Sequence, residues 1–344
     1  MINKGPKIIL ITGAGGYVGA MLADQFSLSP DLEKIIAIDI KPMPELLRGN
    51  KKVIWITADL SGKGWQGIAT QHRPEVIIHC AWQIKELYGQ KDYQRKLNIE
   101  GSKNVFEFVF KQPTVRKLIY FSTVASYGAF PENSLNRLFI EEDPLRENEY
   151  LYGIEKKEAE YMLKKAYEVS DKTKQVFVLR PSSITGPRGR YMVGKKGLLY
   201  MLKNVLPFVP VAGPEWSRQY IHEDDVTDIV GLLTFNIIDG GRGYEIFNIS
   251  PGDIVKAGDM GRVFRKRVLR VPPVLVRAAF YLAWHLTRGK IPTGYGGWKF
   301  LTYPLAVLGS KITQKYGFEY SYSSIESLEK NEGRYEYCLF KKTL

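Results

Sequence analysis

Only two cysteines, Cys80 and Cys338, occur in 344 residues. That excludes a disulfide framework and a cysteine-rich metal site, so no metal is expected, and it fits a reducing compartment. No run of about 20 uncharged apolar residues occurs, so no membrane-spanning helix is expected. The opening Met1-Ile2-Asn3-Lys4-Gly5-Pro6 carries no apolar stretch of its own, so a cytoplasmic chain without a secretory leader is expected. There is no low-complexity tract and no repeat at a fixed period. The length allows one large domain or two closely joined ones.

Acid is missing from one long segment. Between Asp259 and Glu319 there is no carboxylate, while Arg262, Arg265, Lys266, Arg267, Arg270, Arg277, Arg288, Lys290, Lys299, Lys311 and Lys315 fall inside. Those eleven account for most of the net charge of +13. The segment is interleaved with aliphatic residues and holds no nucleic-acid motif, so nucleic acid is not expected as a partner. Its apolar stretches, Val271 to Leu286 and Phe300 to Leu308, are too short or interrupted to span a bilayer. With flanking cations and Trp284 and Trp298 they have the makeup of interfacial segments, and each cation near an anionic leaflet contributes about 1 kcal/mol. Two readings follow for 260–318: peripheral contact with anionic membrane, or the closing face of a substrate pocket with its charges solvated or gripping an anionic substrate.

What is present is organised around Ile8-Ile9-Leu10-Ile11-Thr12-Gly13-Ala14-Gly15-Gly16-Tyr17-Val18-Gly19. An unalternating apolar run predicts a strand buried on both faces. It runs into glycines at 13, 16 and 19 and then into a helical pattern from Ala20 to Phe26. In that context such glycines allow a tight turn, close approach of a pyrophosphate, and close packing of helix on strand. The second predicted strand, Lys34 to Asp39, ends on an acid that can accept from a ribose 2′-hydroxyl and repel a 2′-phosphate. The expected cofactor is NAD, and Lys41 leaves NADP open.

Further strands are predicted at Lys52–Leu60, Glu75–Ala81, Arg116–Thr123 and Gln175–Arg180, with helices over Tyr93–Phe110 and 151–169. Strands alternating with helices predict a doubly wound parallel sheet, an α/β fold of Rossmann type. Residues 1–186 form the expected nucleotide-binding domain, with further sheet elements from 218–250. Residues 187–330 are expected mainly as a smaller C-terminal cap that binds substrate, and 331–344 as a loosely attached tail. The closing Lys341-Lys342-Thr343-Leu344 has the form of a dilysine retrieval signal and is read as coincidence.

Tyr152 and Lys156 stand four apart on a predicted helix, hence on one face. A lysine near a tyrosine favours the phenolate and suits the tyrosine to alcohol–ketone proton transfer. Tyr161/Lys165, Tyr191/Lys195, Tyr295/Lys299 and Tyr337/Lys341 share the spacing. Only Tyr152 lies on the helix that follows the fifth strand, whose carboxyl end carries Thr123.

The chain resembles the extended short-chain dehydrogenase/reductases, in particular the NAD-dependent epimerase/dehydratase group typified by UDP-glucose 4-epimerase. The residues that carry the resemblance are Thr12-Gly13-x-x-Gly16-x-x-Gly19, Asp39, Asp59-Leu60, His79-Cys80-Ala81, Asn98, Ser122-Thr123-x-x-x-Tyr127-Gly128, Tyr152-Gly153-x-x-Lys156, Leu179-Arg180-Pro181, Gly186-Pro187 and Arg218 to Val226. It implies Thr123, Tyr152 and Lys156 as catalytic residues. It implies Gly13, Gly16, Tyr17, Gly19, Asp39, Asp59, Leu60, Ala81, Asn98, Tyr152, Lys156 and Pro181 on the cofactor side, Asn98 as a structural partner. Thr123, Ser183 and Arg218 would face the substrate, Arg218 at a phosphate. His79 is implied as a strand-end residue, and His222 with Asp225 as a fastening of the cap. A homodimer is compatible with the resemblance.

Three departures bear on the substrate. Val124-Ala125 replace the Asp-Glu pair of sugar dehydratases, which argues against dehydration. Trp82 stands where the group has a small residue, and Ser183 where several nucleotide-sugar enzymes have asparagine. The leading expectation is an epimerase or oxidoreductase acting on a nucleotide sugar. Tyr152 removes a hydroxyl proton, hydride passes to the nicotinamide, and an epimerase returns it to the opposite face. An oxidoreductase on a lipid-like alcohol, resembling the 3β-hydroxysteroid dehydrogenase branch, is the second, and a non-catalytic assembly factor the third.

Overall fold

The computed structural model describes residues 5–193, 198–235 and 242–340. Met1–Lys4, Lys195 of the Tyr191/Lys195 pair, and the dilysine ending with Lys341 lie outside the described residues. Seven parallel strands form the central sheet: β1 Ile8–Thr12, β2 Lys34–Asp39, β3 Val53–Thr57, β4 Val76–His79, β5 Lys117–Phe121, β6 Gln175–Pro181 and β7 Gly243–Ile249. Their order is β7-β6-β5-β4-β1-β2-β3, so the direction of winding reverses between β1 and β4.

The apolar runs that defined these strands are explained by two cores. Ile9, Ile11, Ile35, Ala37, Ile78, Phe177 and Leu179 face one side, with Leu22, Phe26, Ile229 and Leu233. Leu10, Ile36, Ile38, Ile77, Val176 and Val178 face the other, with Val105, Phe106, Ala159 and Leu163. Alternate residues therefore serve opposite layers, which is why the strand interiors are apolar on both faces and polar residues stand mainly toward the strand ends. The helices on the first side are α1 (Tyr17–Ser27) and α4 (Glu223–Phe235); on the second they are α2 (Gly101–Lys111) and α3 (Leu151–Glu168).

Boundaries differ from expectation where side chains turn the backbone. β3 stops at Thr57, and Asp59 lies in the turn beyond it, accepting the Ser61 N–H at 2.8 Å. The helix expected over Tyr93–Phe110 starts as a short turn at Lys91–Arg95, widens to a π-helical turn over Lys96–Glu100, and continues as α2. Asn98 sits in that wide turn. Such insertions are frequent at functional sites.

Residues 187–330 are divided between two layers. α4 and β7 complete the nucleotide-binding layer, while Leu202, Val209, Trp216, Met260, Phe264, Val276, Phe280 and Leu301 close a separate core in the cap. The helix α5, Pro273–Leu286, lies on that cap core.

The tail from 331 is not loosely attached over its described residues. Tyr335 is 1% exposed and Cys338 is buried. The Tyr335 hydroxyl donates to Asp24 at 2.9 Å, and Arg334 pairs with Asp228 at 2.7 Å. Polar composition concealed this, because one aromatic ring anchored in the nucleotide-binding layer suffices to dock a short 3₁₀ turn. Tyr335→Ala should therefore cost on the order of 3 kcal/mol of stability, read from denaturant unfolding. A loss near zero would mean the tail is detached in solution.

Candidate active site

The first turn after β1 is built by close approach. Gly13 has φ +68°, and a methyl group in place of its hydrogen would lie 2.5 Å from the amide nitrogen of Ala81. Gly19 faces the Gly13 carbonyl so closely that a side chain there would collide with it. These contacts draw α1 and the end of β4 onto one point. Gly16 is the N-cap of α1 and supplies no side-chain cap, and the first turn carries no acid. The amides at that end remain available for a phosphate.

Asp39 closes the adjoining edge. Its carboxylate accepts from the Gly15 N–H and the Lys41 N–H, each at 2.9 Å. Two backbone donors fix the carboxylate and leave lone pairs for a ribose hydroxyl, whereas a 2′-phosphate would meet a fixed negative charge. Lys41 itself points to solvent. Leu60 is buried, while Asp59 is exposed and occupied by its own turn. Pro181 ends β6 beside Ile249. The hydroxyls of Ser122 and Ser182, just beyond β5 and β6, are buried without a protein partner among the described residues. A glycine turn with free amides, a held carboxylate and orphaned hydroxyls fit a dinucleotide.

Tyr17, like Asp59, is an expected cofactor contact that is engaged elsewhere. Its hydroxyl donates to Glu223, which also accepts the Arg188 and Gly189 amides at 2.9 and 3.0 Å. Tyr17 thus ties α1 to α4.

Across the crevice, Thr123 follows β5, and its hydroxyl accepts the Ala125 N–H at 3.1 Å. Thr123 lies near enough to the Tyr152 side chain to favour its phenolate. Lys156, one turn along α3, donates to the Phe121 carbonyl and lies 3.7 Å below the centre of the Trp82 ring. The three residues expected together are therefore brought together.

Their electrostatics differ from expectation. Burial pushes the Tyr152 phenol up to about 12, against the lowering effect of Thr123, and burial brings the Lys156 ammonium down to about 7. A lysine half-neutral near pH 7 exerts little pull on the tyrosine, so desolvation, not charge, dominates both groups. The indole of Trp82, favourable to a cation through its face, offsets part of that burial.

The supporting contacts run through buried amides and carboxylates. Asn98 donates to Glu155 at 2.7 Å and to the Gln83 carbonyl at 3.1 Å, and accepts the Gln83 N–H at 2.7 Å. It holds the segment after Trp82 against α3, which is a structural role. His79 is bonded on both ring nitrogens, to Thr12 at 2.7 Å and Ser102 at 2.9 Å, and burial brings its pKa down to about 3. It is a neutral strand-end residue. Glu147 accepts the amides of Asn148, Glu149 and Tyr150 at 2.8–2.9 Å and thereby sets the entry to α3. Glu147 was missed, and Glu223 was given no role within the Arg218–Val226 stretch, because a carboxylate that caps a distant segment leaves no spacing signal.

The substrate side is more closed than expected. Ser183 is exposed beside Tyr220. Arg218 is buried; it donates to the carbonyls of Tyr303 at 2.8 Å, Ser217 at 2.6 Å, and Phe300. Burial lowers its pKa to about 10. Phe300 leads back to the centre, since its ring is 5.1 Å from that of Tyr150, which is 5.9 Å from that of Tyr152. His222 stacks on Tyr322 at 3.9 Å and Asp225 accepts the Ser321 N–H at 2.8 Å, so this pair fastens the loop 320–323.

Tyr152→Phe should lower turnover on the order of 10²-fold or more while leaving cofactor binding intact. The same change at Tyr161, exposed on α3, should do little; equal losses would sink the assignment. With the phenol at about 12, the phenolate fraction rises tenfold per pH unit below that value. Alcohol oxidation should climb steadily toward alkaline pH and ketone reduction should not, in initial-rate profiles at saturating cofactor.

Lys156 yields a stability prediction. Its pKa is about 7 folded against an ordinary 10.5, so the unfolded chain holds more protons between those values and stability rises with pH there. The cost of burying the charge is complete below the folded pKa and is relieved toward the unfolded one. Lys156→Met should abolish turnover yet raise Tm, with the gain greatest at neutral pH or below and absent near 10.5. An unchanged Tm across this range would contradict the burial argument.

Comparison with known proteins places this geometry. Among curated proteins, an uncharacterized protein of Mycobacterium tuberculosis is 25% identical over 261 residues, 73% of this chain and 64% of that protein. The chain thus spans about two thirds of the length of the first relatives it matches. A sterol-4-alpha-carboxylate 3-dehydrogenase of Candida albicans is 28% identical over 207 residues, 56% of this chain and 55% of that one. Among solved structures, UDP-glucose 4-epimerase of Thermotoga maritima with UDP-glucose has a TM-score of 0.70 at 21% identity, covering 98% of this chain and 99% of that one. At that identity the likeness speaks for the fold. A family model matches residues 9–250, which span the glycine turn, Asp39, Thr123, Tyr152, Lys156 and Arg218, and by that match the chain belongs to the NAD dependent epimerase/dehydratase family.

Proposed function

We propose that this chain interconverts a secondary alcohol and a ketone with NAD as the hydride carrier. The observation that carries the reading is Tyr152 and Lys156 buried one helical turn apart on α3, with Thr123 near the phenol and the Lys156 ammonium over Trp82, next to the Gly13–Ala81 contact. Bound NAD would supply the hydride acceptor; Gly13, Gly16, Gly19, Asp39 and Ala81 would hold it. Thr123 would bond the substrate oxygen, and Tyr152 would take or give the hydroxyl proton. Lys156 would relay the charge on Tyr152, since a group titrating near 7 exchanges protons readily at neutral pH. The Val124-Ala125 backbone beyond Thr123 offers no acid–base side chain, which speaks against dehydration.

A nucleotide sugar is the first substrate class, by analogy with UDP-glucose 4-epimerase, with Arg218 at a phosphate. One observation favours the second class, a lipid-like alcohol as in the sterol dehydrogenase relative. The guanidinium of Arg218 is committed to three carbonyls, and a phosphate would have to displace them.

Purified protein should be analysed for bound dinucleotide and then offered UDP-sugars and sterol-like alcohols in turn. Retained NAD and exchange of sugar isomers support the epimerase, whereas NADH formation with a sterol-like alcohol supports the second class. NAD should bind more tightly than NADP, and Asp39→Ala should narrow or reverse the preference, read by titration of each dinucleotide. A wild type that prefers NADP would overturn the role given to Asp39.

A further inference from the structure

Helix α5 buries a single stripe, Val276, Phe280 and Trp284, spaced four residues apart. A helix lying on a soluble core is ordinarily polar on its opposite face. Here the opposite face is apolar: Val274 is 68% exposed, Leu275 56%, Tyr281 59%, Leu282 55% and Leu286 81%. Ala278 and Ala279 between them are exposed as well. Of the polar side chains on this helix, His285 is hydrogen-bonded to Tyr88 at 3.1 Å, Tyr281 packs against His285, and Arg277 lies at the edge over the Trp298 ring. A contiguous exposed apolar face of this kind marks a contact surface.

The charges around it identify the partner. Of the other six cations of the acid-free segment, four pair with carboxylates, Lys299 with Glu149 at 2.6 Å in the interior and Lys311 with Glu142 at 3.3 Å, Arg262 with Asp259 at 3.0 Å and Lys315 with Glu245 at the surface; Lys266 donates to the Leu202 and Leu206 carbonyls and Arg277 lies over the Trp298 ring. Arg265, Arg267, Arg270, Arg288 and Lys290 lie outside the ion pairs among the described residues, and all five are exposed. Three precede α5 and two follow it. An apolar helical face with free cations at both ends suits an anionic bilayer surface, where the side chains enter the acyl boundary and the cations meet headgroups. A second copy fits poorly: in an antiparallel two-fold pair each end of α5 would face the other end of its twin, positive against positive.

We propose that α5 docks on an anionic membrane with its outer face in the interface. The buried face of the same helix reaches the site. Phe280 packs under Gly297, and Tyr150 lies beside both Gly297 and Tyr152. Trp284 packs at a tilt against Tyr88, ring centres 5.6 Å apart, on the segment that follows Trp82. Docking therefore brings the catalytic crevice to the bilayer surface, where a lipid-like alcohol resides. The docking itself is independent of the catalytic reading, because vesicle binding needs no turnover.

The test is sedimentation of the purified chain with vesicles of phosphatidylcholine alone or with added phosphatidylglycerol. Binding should appear with phosphatidylglycerol at low salt, be absent with phosphatidylcholine, and weaken as salt rises. Leu282→Asp with Leu286→Asp should reduce binding on the order of tenfold or more at an unchanged Tm. Arg267→Gln with Arg270→Gln should weaken it and flatten its salt dependence. Absence of binding to phosphatidylglycerol vesicles at low salt overturns the proposal, as does equal binding of the aspartate variant. A concentration-dependent dimer in ultracentrifugation that the aspartate variant dissociates would also overturn it, assigning the face to a second copy.

Discussion

The backbone of Gly13 approaches that of Ala81 so closely that no side chain fits between them, and the rest of the site depends on this contact. It joins the ends of β1 and β4, the two strands between which the winding of the sheet reverses. Helices leaving β1 and β4 go to opposite faces, so a crevice opens at their carboxyl ends. Gly19 then allows α1 to descend onto the same turn, which aims its free amides into the crevice. Asp39 and Tyr17 are fixed from either side, by backbone donors in one case and by Glu223 in the other. One steric condition thus positions the phosphate end, the ribose end and the joint to α4.

On the opposite wall the governing quantity is burial. Lys156 and Tyr152 are both removed from water, and each is driven toward its neutral form. Desolvation is expensive, and the indole of Trp82 and the Phe121 carbonyl recover part of that cost for Lys156. Such groups are retained at functional sites because the same environment that destabilises the charge brings a proton exchange near neutral pH. The neutral His79 and the Asn98–Glu155 contact brace the wall, Asn98 from within the wide turn before α2.

The cap follows a different logic. Its own core is small, and much of its polar capacity is turned inward: Arg218 onto carbonyls, and Lys299 onto Glu149. What remains outside is aliphatic on α5 and cationic at its ends. The asymmetry of charge visible along the chain becomes an asymmetry of surface only because folding pairs off some cations and leaves others free. Among the described residues no helix is long and apolar enough to cross a membrane, so a contact through α5 would be one of surface only.

Six of the seven strands, their parallel sense, the glycine turn and the Tyr152–Lys156 pair were legible in the sequence. Each depends on a local rule: unalternating apolar runs for strands with two buried faces, glycine where a side chain collides, and four-residue spacing for one helical face. β2 begins and ends at Lys34 and Asp39, where pattern and structure coincide. Tertiary structure alone decided the state of the groups so placed. Whether Lys156 is charged depends on its burial, among neighbours that include Trp82 and Phe121, 74 and 35 residues away in sequence. Whether Arg218 is free depends on Phe300 and Tyr303, and the tail is docked by the fit of Tyr335 against Asp24. Composition records which cations exist but not which carboxylates fold beside them. Solvation and ion pairing are properties of neighbours in space, and that is why the chain's chemistry could be located from its sequence while its electrostatics could not.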